Sequence, residues 1–175
     1  RDGKTRRGQI IVTFSNGFRN VGSSVTHSFN NYYVNGNNIA GSRTITYNGL
    51  NASSQPNWTI VSNLTITKSS GGSVTWSSTR TRTMVAGYNT PLNWTDDEYT
   101  ISGSASGTNS NGGTYSITIG TPLYVQVGCK YILSGTITYT RNTRTATVDY
   151  SYGGTTTCDN QALLTYNGTT TVITL

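Results

Sequence analysis

Residues 98–127 read EYTISGSASGTNSNGGTYSITIGTPLYVQV, and their apolar positions keep one parity across a turn signal. Tyr99, Ile101 and Ala105 precede Asn111-Gly112-Gly113; Tyr115, Ile117, Ile119, Leu123 and Val125 follow it, all at odd numbers. Period-two alternation describes strands with one apolar face. An odd-length loop keeps both sets on that face, and the three residues Asn111–Gly113 supply one, with glycine for a left-handed position. The expected hairpin joins Glu98–Ser104 to Thr114–Val127, with Ile101 opposite Leu123 and Tyr99 opposite Val125.

The same alternation extends outward in both directions, with no segment of helical period. Strands are expected at Gln9–Phe14, Val25–Val34, Ser42–Tyr47, Trp58–Lys68, Ser73–Met84, Lys130–Thr140, Arg144–Tyr152, Ala162–Tyr166 and Thr169–Leu175. Further Asn-Gly pairs at Asn16, Asn35, Asn48 and Asn167 tolerate the positive φ angles of tight hairpins. The expected fold class is therefore all-β, an antiparallel meander of about ten to eleven strands forming a sandwich or an extended sheet, in one domain spanning 1–175.

Parity switches between Tyr131, Leu133, Ile137, Tyr139 and Ala146, Val148, Tyr150, Tyr152. A four-residue loop at Arg141–Arg144 would set Ile137 opposite Val148 and Tyr150 opposite Gly135. Carried further, that register brings Cys129 opposite position 156, close to Cys158. The two cysteines are thus either a disulfide or two buried thiols, since neither has the partners of a zinc site. In the last hairpin, Ala162, Leu164 and Tyr166 share a face with Ile173 and Leu175, while Leu163 and Val172 point the other way.

Only 10% of the residues are charged and 33% are apolar. Serine and threonine, about 30% of the chain, replace the charges that an ordinary domain uses for solubility. Such a composition suits an extracellular or cell-surface β-protein. The net charge of +6 is dispersed over Arg1, Lys4, Arg6 and Arg7, over Arg80 and Arg82, and over Arg141 and Arg144. It forms no nucleic-acid motif, and no apolar run is long enough for a membrane span. Starting at Arg1 without a signal peptide, the chain reads as a mature or trimmed product.

Few residues suit catalysis. Asp96, Asp97 and Glu98 are consecutive, either a solvated loop or a weak calcium site of hard oxygens. His27 is the sole histidine, and no Gly-x-Ser-x-Gly elbow accompanies it. No cofactor and no enzymatic activity are expected. On Ser73–Met84, alternation puts Trp76, Arg80, Arg82 and Met84 on one face and Ser73, Thr75, Ser77, Thr79, Thr81 and Thr83 on the other. Trp76 beside Arg80 and Arg82 offers a glycan platform, or else ordinary packing under snorkelling arginine stems. The threonine arrays also raise ice binding, although no fixed repeat supports it.

The segments Asn31–Gly36, Gly41–Thr46, Trp76–Arg82 and Cys158–Asn160, with Asn167-Gly168, resemble a family of uncharacterised secreted proteins and lipoproteins of Bacteroidetes-type bacteria. The likeness covers essentially the whole chain and rests on turn and strand features. It implies location and fold and brings no catalytic residue; family members carry further sequence, including an extended segment, before the point matching Arg1. The leading expectation is a noncatalytic structural or adhesive surface protein that self-assembles by strand addition, with copies of itself as partners. The alternative is a carbohydrate-binding module for acidic or neutral cell-surface glycans.

Overall fold

The computed structural model describes residues 2–17, 20–154 and 157–175. Among them, twelve strands form a single open antiparallel sheet. The strands are β1 (Arg6–Ser15), β2 (Ser24–Val34), β3 (Asn37–Leu50), β4 (Pro56–Thr67), β5 (Ser73–Ala86), β6 (Glu98–Thr108), β7 (Thr114–Ile119), β8 (Leu123–Gln126), β9 (Thr136–Arg141), β10 (Arg144–Asp149), β11 (Gln161–Tyr166) and β12 (Thr169–Thr174). They follow chain order except that β7 pairs with β9, and β8 lies beside β6. β1 and β12 are the two edges. Of the two expected architectures, the extended sheet is the one formed.

The surface area shows what this arrangement costs. A globular monomer of this mass would expose about 8,300 Å², whereas this chain exposes 10503 Å². Full burial is accordingly sparse: Ile60, Ala105, Leu123, Leu133 and Ala162 are the buried apolar residues among those described.

The register assigns each residue to a face. Phe14, Val25, Ile45, Ile60, Arg80 and Gly103 are successive cross-strand partners on the apolar face. The opposite face is hydroxylated. One transverse row, from β1 to β12, reads Thr13, Thr26, Thr44, Val61, Thr79, Ser104, Thr118, Thr138, Thr147, Thr165 and Thr170. Neighbouring hydroxyls bond one another, as at Thr26–Thr44 (3.0 Å) and Thr165–Thr170 (2.9 Å). Four of the row's ten hydroxyls are thus bonded laterally, and sheets of this width twist. Both features weigh against an ice template.

Ile101 does lie opposite Leu123 and Tyr99 opposite Val125, but two compensating departures produce those pairs. The loop after β6 spans five residues, 109–113, so Ala105 faces Ile117. Two residues are then regained where the expected strand Thr114–Val127 breaks at Gly120–Pro122. Pro122 has no N–H to give a ladder, which explains the break. Ile137 faces Val148 as expected, through a tighter turn of Asn142 and Thr143; Tyr150 donates its backbone N–H to Gly135 O at 2.9 Å.

Two further corrections concern turns and strand starts. The strand expected over Lys130–Thr140 begins only at Thr136. Asn48-Gly49 makes no hairpin: it forms a bulge within β3, where the register with β4 shifts between Tyr47 and Gly49.

Cys129 and Cys158 form a disulfide. It arises in loops rather than by extension of the β9–β10 register, with the backbone N–H of Cys129 donating to Gln126 O in a turn after β8. Position 156, the expected neighbour of Cys129, and Arg1 lie outside the described residues.

Candidate functional site

The site grows from alternation along β5. Trp76, Arg80, Arg82 and Met84 all lie on the apolar face, and β4 and β6 determine what flanks each. Arg82 faces Trp58 on one side and Ile101 on the other. Its guanidinium carbon lies 4.9 Å from the ring centroids of both Trp58 and Tyr99, within cation–π range of two rings at once. The Tyr99 hydroxyl in turn donates to Asp97 Oδ2 at 2.9 Å. Burial, and then this hydrogen bond, push the Tyr99 phenol up.

The connection between β5 and β6 closes one end. Its turn is held by Thr90 Oγ1, which donates to Gly87 O (3.0 Å) and Asp96 Oδ2 (2.7 Å). Asn93 caps a single 3-10 turn, Trp94–Asp96. Between this connection and the sheet lies a cleft of about 710 Å³, a size suited to an oligosaccharide or comparable ligand. Six aromatic rings line it: Phe14, Tyr47, Trp58, Tyr88, Trp94 and Tyr99, together with Arg82 and Asp97. Phe14 and Trp94 are 68% and 67% exposed. Rings left this open at the mouth of a cleft are in position to stack on a ligand.

The expected platform of Trp76, Arg80 and Arg82 is divided by the fold. Arg82 lines the cleft; Trp76 does not. The Trp76 indole N–H donates to Ser78 Oγ at 3.1 Å, and its ring packs against Tyr115, centroids 6.3 Å apart. Arg80 sits 5.5 Å from the Trp76 ring and, like Trp76, does not line the cleft.

Asp96, Asp97 and Glu98, the calcium candidates, do not converge on one point. Their carboxylates turn to different partners, Thr90, Tyr99 and Tyr124 respectively, as the chain passes from the 3-10 turn at Asp96 into the strand at Glu98. No group of three His, Cys, Asp or Glu residues gathers among the described residues. The bond to Glu98, after burial, pushes the Tyr124 phenol up to about 12. His27 faces Val12 and Arg43 across the sheet, and its Nδ1 is buried without a partner.

Arg80 and Arg82 share an unusual condition. Burial lowers the pKa of both, and the charge of Arg43 lowers each further; at Arg82, Tyr99 and Asp97 oppose the fall. The Nε of each is buried with no hydrogen-bond partner. Among the described residues the ion pair formed is Arg6–Asp2, far along the sheet at β1.

Sequence reading missed Trp58 and Tyr99 as site residues. Parity across the five-residue loop 68–72 would have placed Trp58 opposite Arg82. Tyr88 and Trp94 carry no such periodic signal, since they belong to an irregular connection. No protein-family model, curated protein or solved structure matches the chain.

Proposed function

We propose that this chain is a noncatalytic extracellular or cell-surface β-protein with an adhesive role, and that its adhesive contact is a saccharide held in the aromatic cleft. The observation carrying this reading is the convergence of six rings on one cleft whose polar groups are few and directional. Sugar rings present C–H faces that stack on aromatic side chains, while Arg82 and Asp97 offer a donor and an acceptor for hydroxyls. The disulfide supports export to an oxidising compartment. The Ser/Thr-rich surface agrees with that location, as does the resemblance to secreted proteins and lipoproteins.

A glycan array followed by titration of the best hit, read by tryptophan fluorescence, tests the proposal. Saturable binding that Trp58→Ala weakens by about tenfold or more is expected, in line with loss of one stacking anchor. Binding unaffected by Trp58→Ala removes the cleft from the account.

A second reading, assembly of copies by strand addition, is favoured by one observation: every residue of the edge strand β1 is exposed. The two properties meet at Phe14 and Ser15, β1 residues that also line the cleft.

A further inference from the structure

Three arginines share the apolar face, and among the described residues no carboxylate forms an ion pair with any of them. Arg43 comes from β3 and Arg80 and Arg82 from β5, separated by β4. Between and beneath them lie Ile60, Ser62 and Ser78, all buried, and Gly103, which has no side chain. Asp97 is the nearest acid to Arg82, and its Oδ2 is occupied by the Tyr99 hydroxyl.

Partly buried like charges are costly unless a counter-charge and hydrogen-bond acceptors accompany them. Among the described residues no acid forms an ion pair with these arginines, and Nε of Arg80 and Nε of Arg82 are buried without an acceptor. Ordinary snorkelling would bring the polar end of an arginine to water. These two reach water with their terminal nitrogens only, and Nε stays inside, on the face that carries the cleft. Guanidinium groups so disposed match a planar or tetrahedral oxyanion through charge-assisted, bidentate hydrogen bonds.

We infer that Arg82, which lines the cleft, and Arg80 and Arg43, which stand beyond it on the same face, form an anion site that makes the cleft select acidic saccharides, with a uronic acid carboxylate or a sulfate ester against the arginines and the sugar ring on Trp58 and Tyr99. The inference rests on the saccharide reading of the cleft and adds the ligand's charge. The Trp58–Arg82–Tyr99 stack supplies the link, since one guanidinium touches the ring platform and also belongs to the cationic cluster.

The test uses the whole chain and four probes: trigalacturonate, its methyl ester, a carrageenan-type disaccharide that carries sulfate and no carboxylate, and inorganic sulfate. Binding is followed by calorimetry and by the arginine Nε–H signals in 15N-correlated NMR spectra. Trigalacturonate or the sulfated disaccharide should bind at least about tenfold more tightly than the neutral ester, one charge-assisted hydrogen bond being worth that much. Which acid binds better identifies carboxylate or sulfate as the source. The Nε–H signals of Arg80 and Arg82 should shift on binding, and Arg82→Gln should remove the preference for the acid over its neutral ester. Inorganic sulfate, needing no variant, should move the same two signals and compete with the acidic sugar. Equal affinity for acid and ester overturns the charge selection and leaves the saccharide reading standing. Shifts with sulfate but no binding of any sugar overturn the saccharide reading and keep the anion site. Silence of both signals toward all four probes overturns the anion site.

Discussion

Gly103 lies directly opposite Arg80 in the β5–β6 ladder, and its backbone approaches β5 so closely that no other residue fits there. Its φ is +119°, and a Cβ would stand 2.2 Å from Thr79 O. Both the conformation and the contact exclude a side chain, which leaves the space beside Arg80 open. Gly103→Ala is therefore expected to destabilise the chain by about 2–4 kcal/mol, combining backbone strain with displacement of a strand. Gly112, at φ +77° with nothing near its missing Cβ, is the control. Gly112→Ala should cost about 1 kcal/mol, from the left-handed conformation alone. Urea unfolding of both variants measures the difference; equal costs would falsify the close-approach argument.

Arg82 presents the opposite situation, a residue whose removal should not hurt folding. Its stem and two neighbouring rings pack well, but its Nε is unsatisfied and its charge is partly desolvated. Methionine keeps the length and contact and removes both penalties. Arg82→Met should leave stability unchanged or raise it by about 1 kcal/mol, as read by thermal unfolding, while abolishing preference for acidic ligands. A loss of more than about 2 kcal/mol would mean that the cation–π stack is a structural requirement rather than a binding device.

Much of this fold is legible in the residues themselves. Odd-numbered Tyr99, Ile101, Leu123 and Val125 declare a shared face, and parity is insensitive to where a loop breaks by even steps. The same insensitivity conceals the interruption at Pro122, since a shift of two residues changes no face. Alternation places Trp76, Arg80 and Arg82 together on one side of β5, yet says nothing of lateral neighbours without the next register. The cleft therefore remained hidden: its partners Trp58 and Tyr99 come from two other strands, and Tyr88 and Trp94 from a connection with no period at all.

The disulfide offers a test independent of the site. Cys129 and Cys158 are 29 residues apart, and closing that loop restricts the unfolded chain. Replacing both by serine should lower unfolding free energy by about 3–4 kcal/mol on the chain-entropy model. Denaturant unfolding of the oxidised and doubly substituted chains reads this directly. Intact mass after alkylation without reductant checks the starting state: no alkyl groups should be added to native-source protein, and two would refute the bridge.

Strand β1 is the remaining feature that solvent alone does not explain. It is an edge ten residues long, without proline, and Ile10, Ile11, Val12 and Phe14 are 47%, 46%, 43% and 68% exposed. Its free backbone groups form a template for another strand, and edges of this length are ordinarily blunted by charge or proline. Arg6 and Arg7 provide charge at one end only, and Asp2 is paired with Arg6. Parallel pairing of two β1 strands in register would set the arginines against their own copies. Antiparallel pairing about a two-fold axis separates them by nearly the strand's length and joins the apolar faces of both sheets. The other edge, β12, is rich in threonine, with Val172 and Leu175 exposed, and gives strand addition a second place to act. Light scattering across a concentration series should show a dimer that Ile11→Lys converts to monomer, because a lysine on the edge strand disfavours a second copy. Truncation before Thr169 distinguishes the edges: a truncated chain that still dimerises assigns the contact to β1, and one that becomes monomeric while Ile11→Lys does not assigns it to β12. If both variants and the intact chain remain monomeric at high concentration, and microscopy of native material shows no filaments, strand addition is not how these chains meet.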